Sequence, residues 1–406
     1  MTIATQMQRP LFEALEPQLP DALLGLITTF RADPRADKLD LGVGVFRDES
    51  GATPVMRAVK AAEAWLLGTQ QTKAYLGAEG DAVYTQLLSH LLFGPDAATQ
   101  ARLVGVQTPG GTGALRLGAE LIARARPNAR VWIGAPTWPN HAPIFRAAGL
   151  TVAPHAFYDA QTALVDFGAM IANLQAATPG DILLLHGCCH NPTGAGFTSE
   201  QWREIAVLCD SHGLVPFIDI AYQGLGDGLE EDAAATRALV ARLPEALIAY
   251  SCDKNFGLYR DRVGALWVQG ASEAAATTAK ANMLALTRGL WSMPPDHGAA
   301  LVRIILETPD LRADWIEELE AMRIRLNALR AVLGAAHPAL AAIARQRGMF
   351  ALLPLSPADV VAVRERDGIY MAPDGRINIA GLTISAVPNF VRGVAPYLDS
   401  RREALP

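Results

Sequence analysis

The middle of the chain alternates short apolar runs with amphipathic stretches of helical period, which predicts a mostly parallel β-sheet with helices between its strands. Five runs read as strands: Val131–Gly134, Ile182–Leu185, Val215–Ile218, Leu247–Ala249 and Gly264–Val268. Each is nearly free of charge, as strands covered on both faces are. Between two of them Thr198 and Gln201 make a capping box, Trp202, Ile205, Ala206 and Cys209 recur at helical spacing, and Gly213 supplies the stop. These signals predict a helix over Thr198–His212. A second helix is expected from Ala114 to about Ala125, after a glycine run. A long one is expected from Asp310 to about Leu333, with Trp315, Leu319, Met322 and Leu326 on one face. Beyond it the elements shorten, to Ala351–Leu353, Asp359–Arg366 and Ile377–Ile379. That change predicts a smaller C-terminal domain, joined by the N-terminal segment up to about Thr53.

Length agrees with two domains, since 406 residues exceed what one core usually organises. Half of the residues are hydrophobic and 19% are charged, which excludes a disordered chain. The formal charge of -6 leaves no basic footprint, so nucleic acid is not an expected partner. Met1–Pro20 mixes polar and acidic residues without an apolar stretch, unlike a signal peptide, and no apolar run is long enough to span a bilayer. Cys188 and Cys189 are neighbours and poor partners for an unstrained disulfide, and with Cys209 and Cys252 they fit no zinc spacing. A reducing, cytoplasmic compartment is the expectation, with no membrane partner.

The lysines are only Lys38, Lys60, Lys73, Lys254 and Lys280, so few amines are available for covalent chemistry. Lys254 follows the run Leu247–Ala249 and is flanked by Ser251, Arg260 and Arg262. It should sit at the carboxyl end of a strand, where open α/β sheets bind ligands. Cationic neighbours and burial lower an amine's pKa and make it nucleophilic. Alone, the segment reads more readily as a charged surface loop, and the other motifs have to overturn that reading.

The run Gln107-Thr-Pro-Gly-Gly-Thr-Gly113 enters the predicted helix at Ala114. Glycines let backbone N–H groups approach an anion, and phosphate is the obvious guest; a plain tight turn is the alternative. Its spacing matches neither a dinucleotide fingerprint nor a P-loop, which weakens a nucleotide-dependent oxidoreductase. Asp219 follows an apolar strand, where an unpaired carboxylate is costly. A pyridinium nitrogen would serve as its cation, with Tyr222 within reach of a phenolate oxygen on the same ring. A helix-capping aspartate is the competing reading.

In His186-Gly-Cys-Cys-His-Asn-Pro-Thr-Gly194, Asn191-Pro192 is a turn and a candidate cis peptide. A metal site on its histidines and cysteines is rejected, because adjacent cysteines spread poorly around a tetrahedral ion. Trp138 offers an apolar face for an aromatic ring, and His141 can support a buried carboxylate such as Asp219. Arg376 and Arg288 can each grip a carboxylate bidentately.

Together these segments closely resemble the aspartate and aromatic amino acid aminotransferases, a pyridoxal-phosphate-dependent family of fold type I. The likeness runs from about Asp21 to the C-terminus, and HGCCHNPTG with KNFGLY carries it. Gly368–Met371 and Arg376–Gly381 look like the broad-specificity aromatic members. The implied fold is α/β, a mostly parallel central sheet flanked by helices plus a smaller α+β domain. The N-terminal segment 1–53 would share the small domain with residues 321–406, and 54–320 would form the large cofactor-binding domain.

The resemblance implies roles by position. Lys254 matches the lysine that holds the cofactor as a Schiff base and shuttles the proton. Asp219 matches the acid that keeps the pyridine nitrogen protonated, with His141 behind it and Trp138 against the ring. Tyr222 and Asn191 match the groups on the phenolic oxygen. Gly111, Thr112, Ser251 and Arg262 match the phosphate cradle, and Tyr75 matches a tyrosine reaching the neighbouring subunit's phosphate. Arg376 matches the binder of the substrate α-carboxylate, assisted by Gly44 and Asn191. Arg288 matches the arginine that crosses a homodimer interface to a dicarboxylate side chain. Ala22–Leu26 matches the family's mobile flank. The implied reaction is transamination of aspartate, tyrosine, phenylalanine or tryptophan with 2-oxoglutarate.

Two departures stand out. Asp253 replaces the family's usual serine before the lysine; facing a phosphate it would repel, so it is expected to turn away or pair with an arginine such as Arg260. Leu290, Trp291 and Met293 surround Arg288 where aspartate-specific members are more polar, which favours an aromatic substrate by about 1.5–3 kcal/mol if its ring is fully buried. Rival readings are a lyase or decarboxylase on the same fold, which the paired arginines disfavour, and a regulatory amino-acid sensor. The short, non-basic N-terminus leaves a sensor no DNA-binding module.

Overall fold

The computed structural model describes residues 11–17, 22–98 and 101–403. Much of the segment read above as lacking a signal peptide lies outside them. Seven strands form the main sheet: β1 (Leu103–Pro109), β2 (Arg130–Ala135), β3 (Thr151–Ala156), β4 (Ile182–His186), β5 (Val215–Ile220), β6 (Ala246–Ser251) and β7 (Val263–Gln269). Their order is β1-β7-β6-β5-β4-β2-β3, with β7 antiparallel to both neighbours and the other pairs parallel. All five expected strands are present, each extended by one to a few residues. Asp219 is the penultimate residue of β5 and not a residue beyond it.

Successive residues of each central strand enter different cores, because side chains alternate across a pleated sheet. Phe217, Leu247 and Leu266 pack on one face with Leu115, Leu117 and Met283. Ile218, Ile248 and Trp267 pack on the other with Leu88, Ile205 and Leu301. Each fully buried large side chain contributes roughly 1.5–3 kcal/mol.

Three helices matter for the site: α1 (Gly110–Ala125), α2 (Ser199–His212) and α3 (Pro309–Ala336). In α2 both halves of the Thr198–Gln201 capping box form, and Gly213 closes the helix in a left-handed conformation. α3 opens on Pro309 and buries Trp315, Leu319, Met322 and Leu326 as expected. The expected start of α1 at Ala114 is corrected, because the glycine run is its first turn. Gly110 takes φ +70° straight after β1, and the chain coils at once. Glycine is needed there: an added Cβ on Gly110 would stand 2.6 Å from Arg262 Nη2, and one on Gly111 3.1 Å from Ser251 Cβ.

Late elements pair with early ones. Leu39–Asp40 runs parallel to Ile369–Tyr370, and Phe350–Leu352 runs antiparallel to Arg376–Asn378. The sequence placed the last two of these strands one residue late. Among the described residues no helix is long and apolar enough to cross a membrane.

Candidate active site

The carboxyl ends of β4, β5 and β6 bring the candidate chemistry together. Register places His186 beside Asp219, and Asp219 beside Ala249. Lys254 lies three residues past Ser251, the last residue of β6. Its Nζ stands 5.4 Å from the centre of the Tyr222 ring. Burial lowers the lysine's pKa by disfavouring the ammonium, while the charges of Asp253 and Asp219 oppose that effect.

Asp219 is buried, and its Oδ2 accepts a hydrogen bond from His141 Nε2 at 3.1 Å. A carboxylate only accepts, so Nε2 carries the hydrogen, and Nδ1 meets the Thr137 hydroxyl at 2.7 Å. Burial alone would raise the acid's pKa, but the hydrogen bond and charge of His141 bring it below the ordinary value. Trp138 meets the His141 ring edge-to-face at 5.3 Å. Tyr222 is also buried, which holds its hydroxyl protonated far above the usual range.

Arg376 enters on the strand Arg376–Asn378 and is buried. Its Nη2 donates to the Gly42 carbonyl at 3.1 Å and its Nη1 to Asn191 Oδ1 at 3.5 Å. Its Nε is enclosed without a hydrogen-bond partner. The guanidinium lies 4.7 Å from the centre of the Phe350 ring, whose edge leaves no room for a Cβ on Gly44, 2.7 Å away. The Asn191-Pro192 peptide is cis, as is Ala135-Pro136.

At the other side, Gly110 and Gly111 open the first turn of α1 against Arg262 and Ser251, and Thr112 follows them in that turn. Asp253 does not pair with Arg260. It pairs with Arg262, the residue expected to anchor phosphate, whose backbone is left-handed at φ +57°.

Tyr75 and Arg288 stand apart from this cluster. Tyr75 is 91% exposed, and Arg288 is exposed at the end of its helix, hydrogen-bonded to Ser292. The two loops touch, since the Leu76 N–H meets the Met293 sulfur at 3.2 Å.

Some site features were not readable beforehand. His186 stacks obliquely on His141 with ring centres 5.1 Å apart, and burial followed by His141's charge lowers its pKa to about 3. Its position after a strand was visible, but not the register that sets it behind Asp219. Phe350 beneath Arg376 had no sequence signal. The histidines and cysteines of the 186–190 segment fall into separate groups, His186 with His141 and Asp219, and the two cysteines with Asp232. Both Asp232 oxygens already accept backbone N–H groups, of Gly224, Gly226 and Asp227.

The donor set suits a phosphorylated aldehyde with a basic ring nitrogen. A glycine turn at a helix start faces an arginine, a deprotonable amine lies between, and a buried ionised acid lies beyond. Residues 36–394 match the model of the class I and II aminotransferases, and the chain belongs to that family of transferases, whose cofactor is pyridoxal phosphate. A tyrosine aminotransferase of Rhizobium meliloti is 52% identical over 92% of this chain and 96% of its own length. An aspartate aminotransferase of Escherichia coli is 43% identical over 92% and 96%. Among solved structures, an aromatic-amino-acid aminotransferase from Burkholderia pseudomallei covalently bound to pyridoxal phosphate aligns with a TM-score of 0.93. It is 39% identical, and the alignment covers 96% of this chain and all of that one.

Proposed function

We propose that this enzyme transfers amino groups from aromatic amino acids and aspartate to 2-oxoglutarate, with Lys254 as the covalent attachment point of pyridoxal phosphate. The observation that carries this reading is the grouping around Tyr222: an amine of lowered pKa, an acid held ionised by His141, and a buried arginine with a spare donor. Names of relatives support both substrate classes.

When bound, the cofactor supplies a conjugated ring that takes up the electron pair left by a departing α-proton. Asp219 places a negative charge where the ring nitrogen must stay protonated, and His141 keeps that acid from neutralising itself. Lys254, once released by substrate, carries the proton away from the α-carbon. Tyr222 and Asn191 donate to the ring's phenolic oxygen. Gly111, Thr112, Ser251 and Arg262 hold the phosphate, and Trp138 packs on the ring. Arg376 grips the α-carboxylate beside Gly44 and Asn191, which fixes the bond to be broken. Tyr75 and Arg288 act across a homodimer interface, Arg288 on a dicarboxylate side chain. Residues 1–53 and 321–406 form the smaller domain against 54–320, a division that the pairing of Leu39–Asp40 with Ile369–Tyr370 supports.

Borohydride reduction of the yellow holoenzyme followed by peptide mapping tests the assignment. The label belongs on Lys254, and recovery on Lys280 refutes it. Incubation with phenylalanine, tyrosine or aspartate and 2-oxoglutarate should give glutamate and the matching 2-oxo acid. Carbon dioxide or ammonia in their place would mean a decarboxylase or lyase.

A further inference from the structure

Asp253 lies buried between Lys254 and the glycine turn. Its Oδ2 pairs with the Arg262 guanidinium and stands 4.0 Å from Lys254 Nζ. Its Oδ1 is enclosed and has no hydrogen-bond partner. Arg262 is committed in turn, since its Nη1 also donates to the Tyr259 carbonyl at 3.1 Å, while its Nη2 lies over Gly110. The guanidinium therefore reaches from Asp253 to the first turn of α1, where an anion meets free helix N–H groups.

The consequence is electrostatic. Arg262 and Asp253 together carry no net charge, so an approaching phosphate dianion meets a neutralised arginine and, through space, the field of an enclosed carboxylate oxygen that no donor offsets. Two like charges a few ångströms apart in a half-buried site repel strongly enough to change affinity tenfold or more. The Ser251 hydroxyl accepts the Asp253 N–H at 3.2 Å and keeps its own O–H free to donate, but a neutral donor does not offset a full negative charge.

We propose that Asp253 is an internal counter-anion of the phosphate cradle, competing with phosphate for Arg262 and making the cofactor exchangeable. The inference rests on the proposed cofactor site and adds to it a determinant of retention. Its chemistry is general to phosphate groups and independent of the ring they carry.

Equilibrium titration of the full-length chain, stripped of cofactor, decides the matter with three probes: inorganic phosphate, pyridoxal phosphate and unphosphorylated pyridoxal. Asp253→Asn and Asp253→Ser should bind both phosphorylated probes at least about tenfold more tightly than wild type, with a much smaller change for pyridoxal, which registers only the effect on the Lys254 amine. The asparagine variant keeps shape and removes only charge. Unchanged or weaker phosphate binding in both variants overturns the inference, as does an equal gain for pyridoxal. The wild-type chain decides independently of how the variants fold: its affinity for inorganic phosphate should be millimolar, and micromolar binding overturns the idea. Failure of pyridoxal phosphate to modify Lys254 at all sinks the cofactor reading, and this inference with it.

Discussion

Two opposing forces act on the Asp219 carboxyl. Burial favours its neutral form, and the His141 hydrogen bond favours the ion and prevails. The histidine that helps must have a neutral neighbour, and His186 provides it. Enclosed behind His141, with its Nε2 unpartnered, His186 has a pKa lowered from 6.5 to about 3. The sign of the resulting pH dependence follows. Between those values the unfolded chain binds a proton that the folded chain refuses, so stability is fully present above pH 6.5 and falls as pH drops toward 3. Replacing His186 by Asn should flatten the decline of Tm across that window, measured by scanning calorimetry at fixed ionic strength. An equally steep decline would assign acid sensitivity to other groups. Residue identities such as Lys254 and Asp219 were legible because each comes at the carboxyl end of a run of apolar residues. The partner of Asp253 was not, since Arg260 and Arg262 are two residues apart and the choice between them depends on the conformation of the loop after β6.

At the scale of elements, the cradle is built by sheet register. Ser251 of β6 pairs with Gly264 of β7, and Gly264 pairs with Thr108 of β1, so the strand ends deliver the hydroxyl and the helix start to one place. Gly264 permits that closeness: an added Cβ would lie 2.5 Å from both the Gly110 carbonyl carbon and the Tyr250 carbonyl oxygen. Backbone atoms cannot rotate aside. Gly264→Ala should therefore cost roughly 1–3 kcal/mol and displace α1 from Ser251. Both a lower Tm and weaker pyridoxal phosphate binding are expected; a Tm loss with unchanged affinity would show that the helix start is held by other contacts. Strands and capping boxes were readable because their signals are local. The start of α1 was misplaced because glycine, a poor helix former, here opens a helix whose first turn lies too close to Arg262 and Ser251 for side chains.

For the whole molecule, the placement of Tyr75 and Arg288 is the informative feature. Both lie on the protomer surface, where Trp65, Leu67, Leu76 and Leu290 are also exposed, and apolar side chains of this size gain from a cover. A second copy provides it if Arg288 serves the neighbouring site. That arrangement makes a prediction no single-chain reading makes. Lys254→Ala alone should abolish turnover, and Arg288→Leu alone should cut aspartate turnover by about a hundredfold, in line with loss of a charge-assisted carboxylate clamp. Phenylalanine turnover should fall far less, since an aromatic ring makes no use of that charge. Mixed dimers of the two variants then contain one site with Lys254 from one chain and Arg288 from the other. If Arg288 crosses the interface, hybrids assembled by co-expression with two affinity tags recover up to half of wild-type aspartate activity per dimer. If it acts within its own chain, every site lacks one group or the other and the hybrids stay as inactive toward aspartate as their parents, which would remove the shared-site reading while leaving Lys254 and Asp219 untouched.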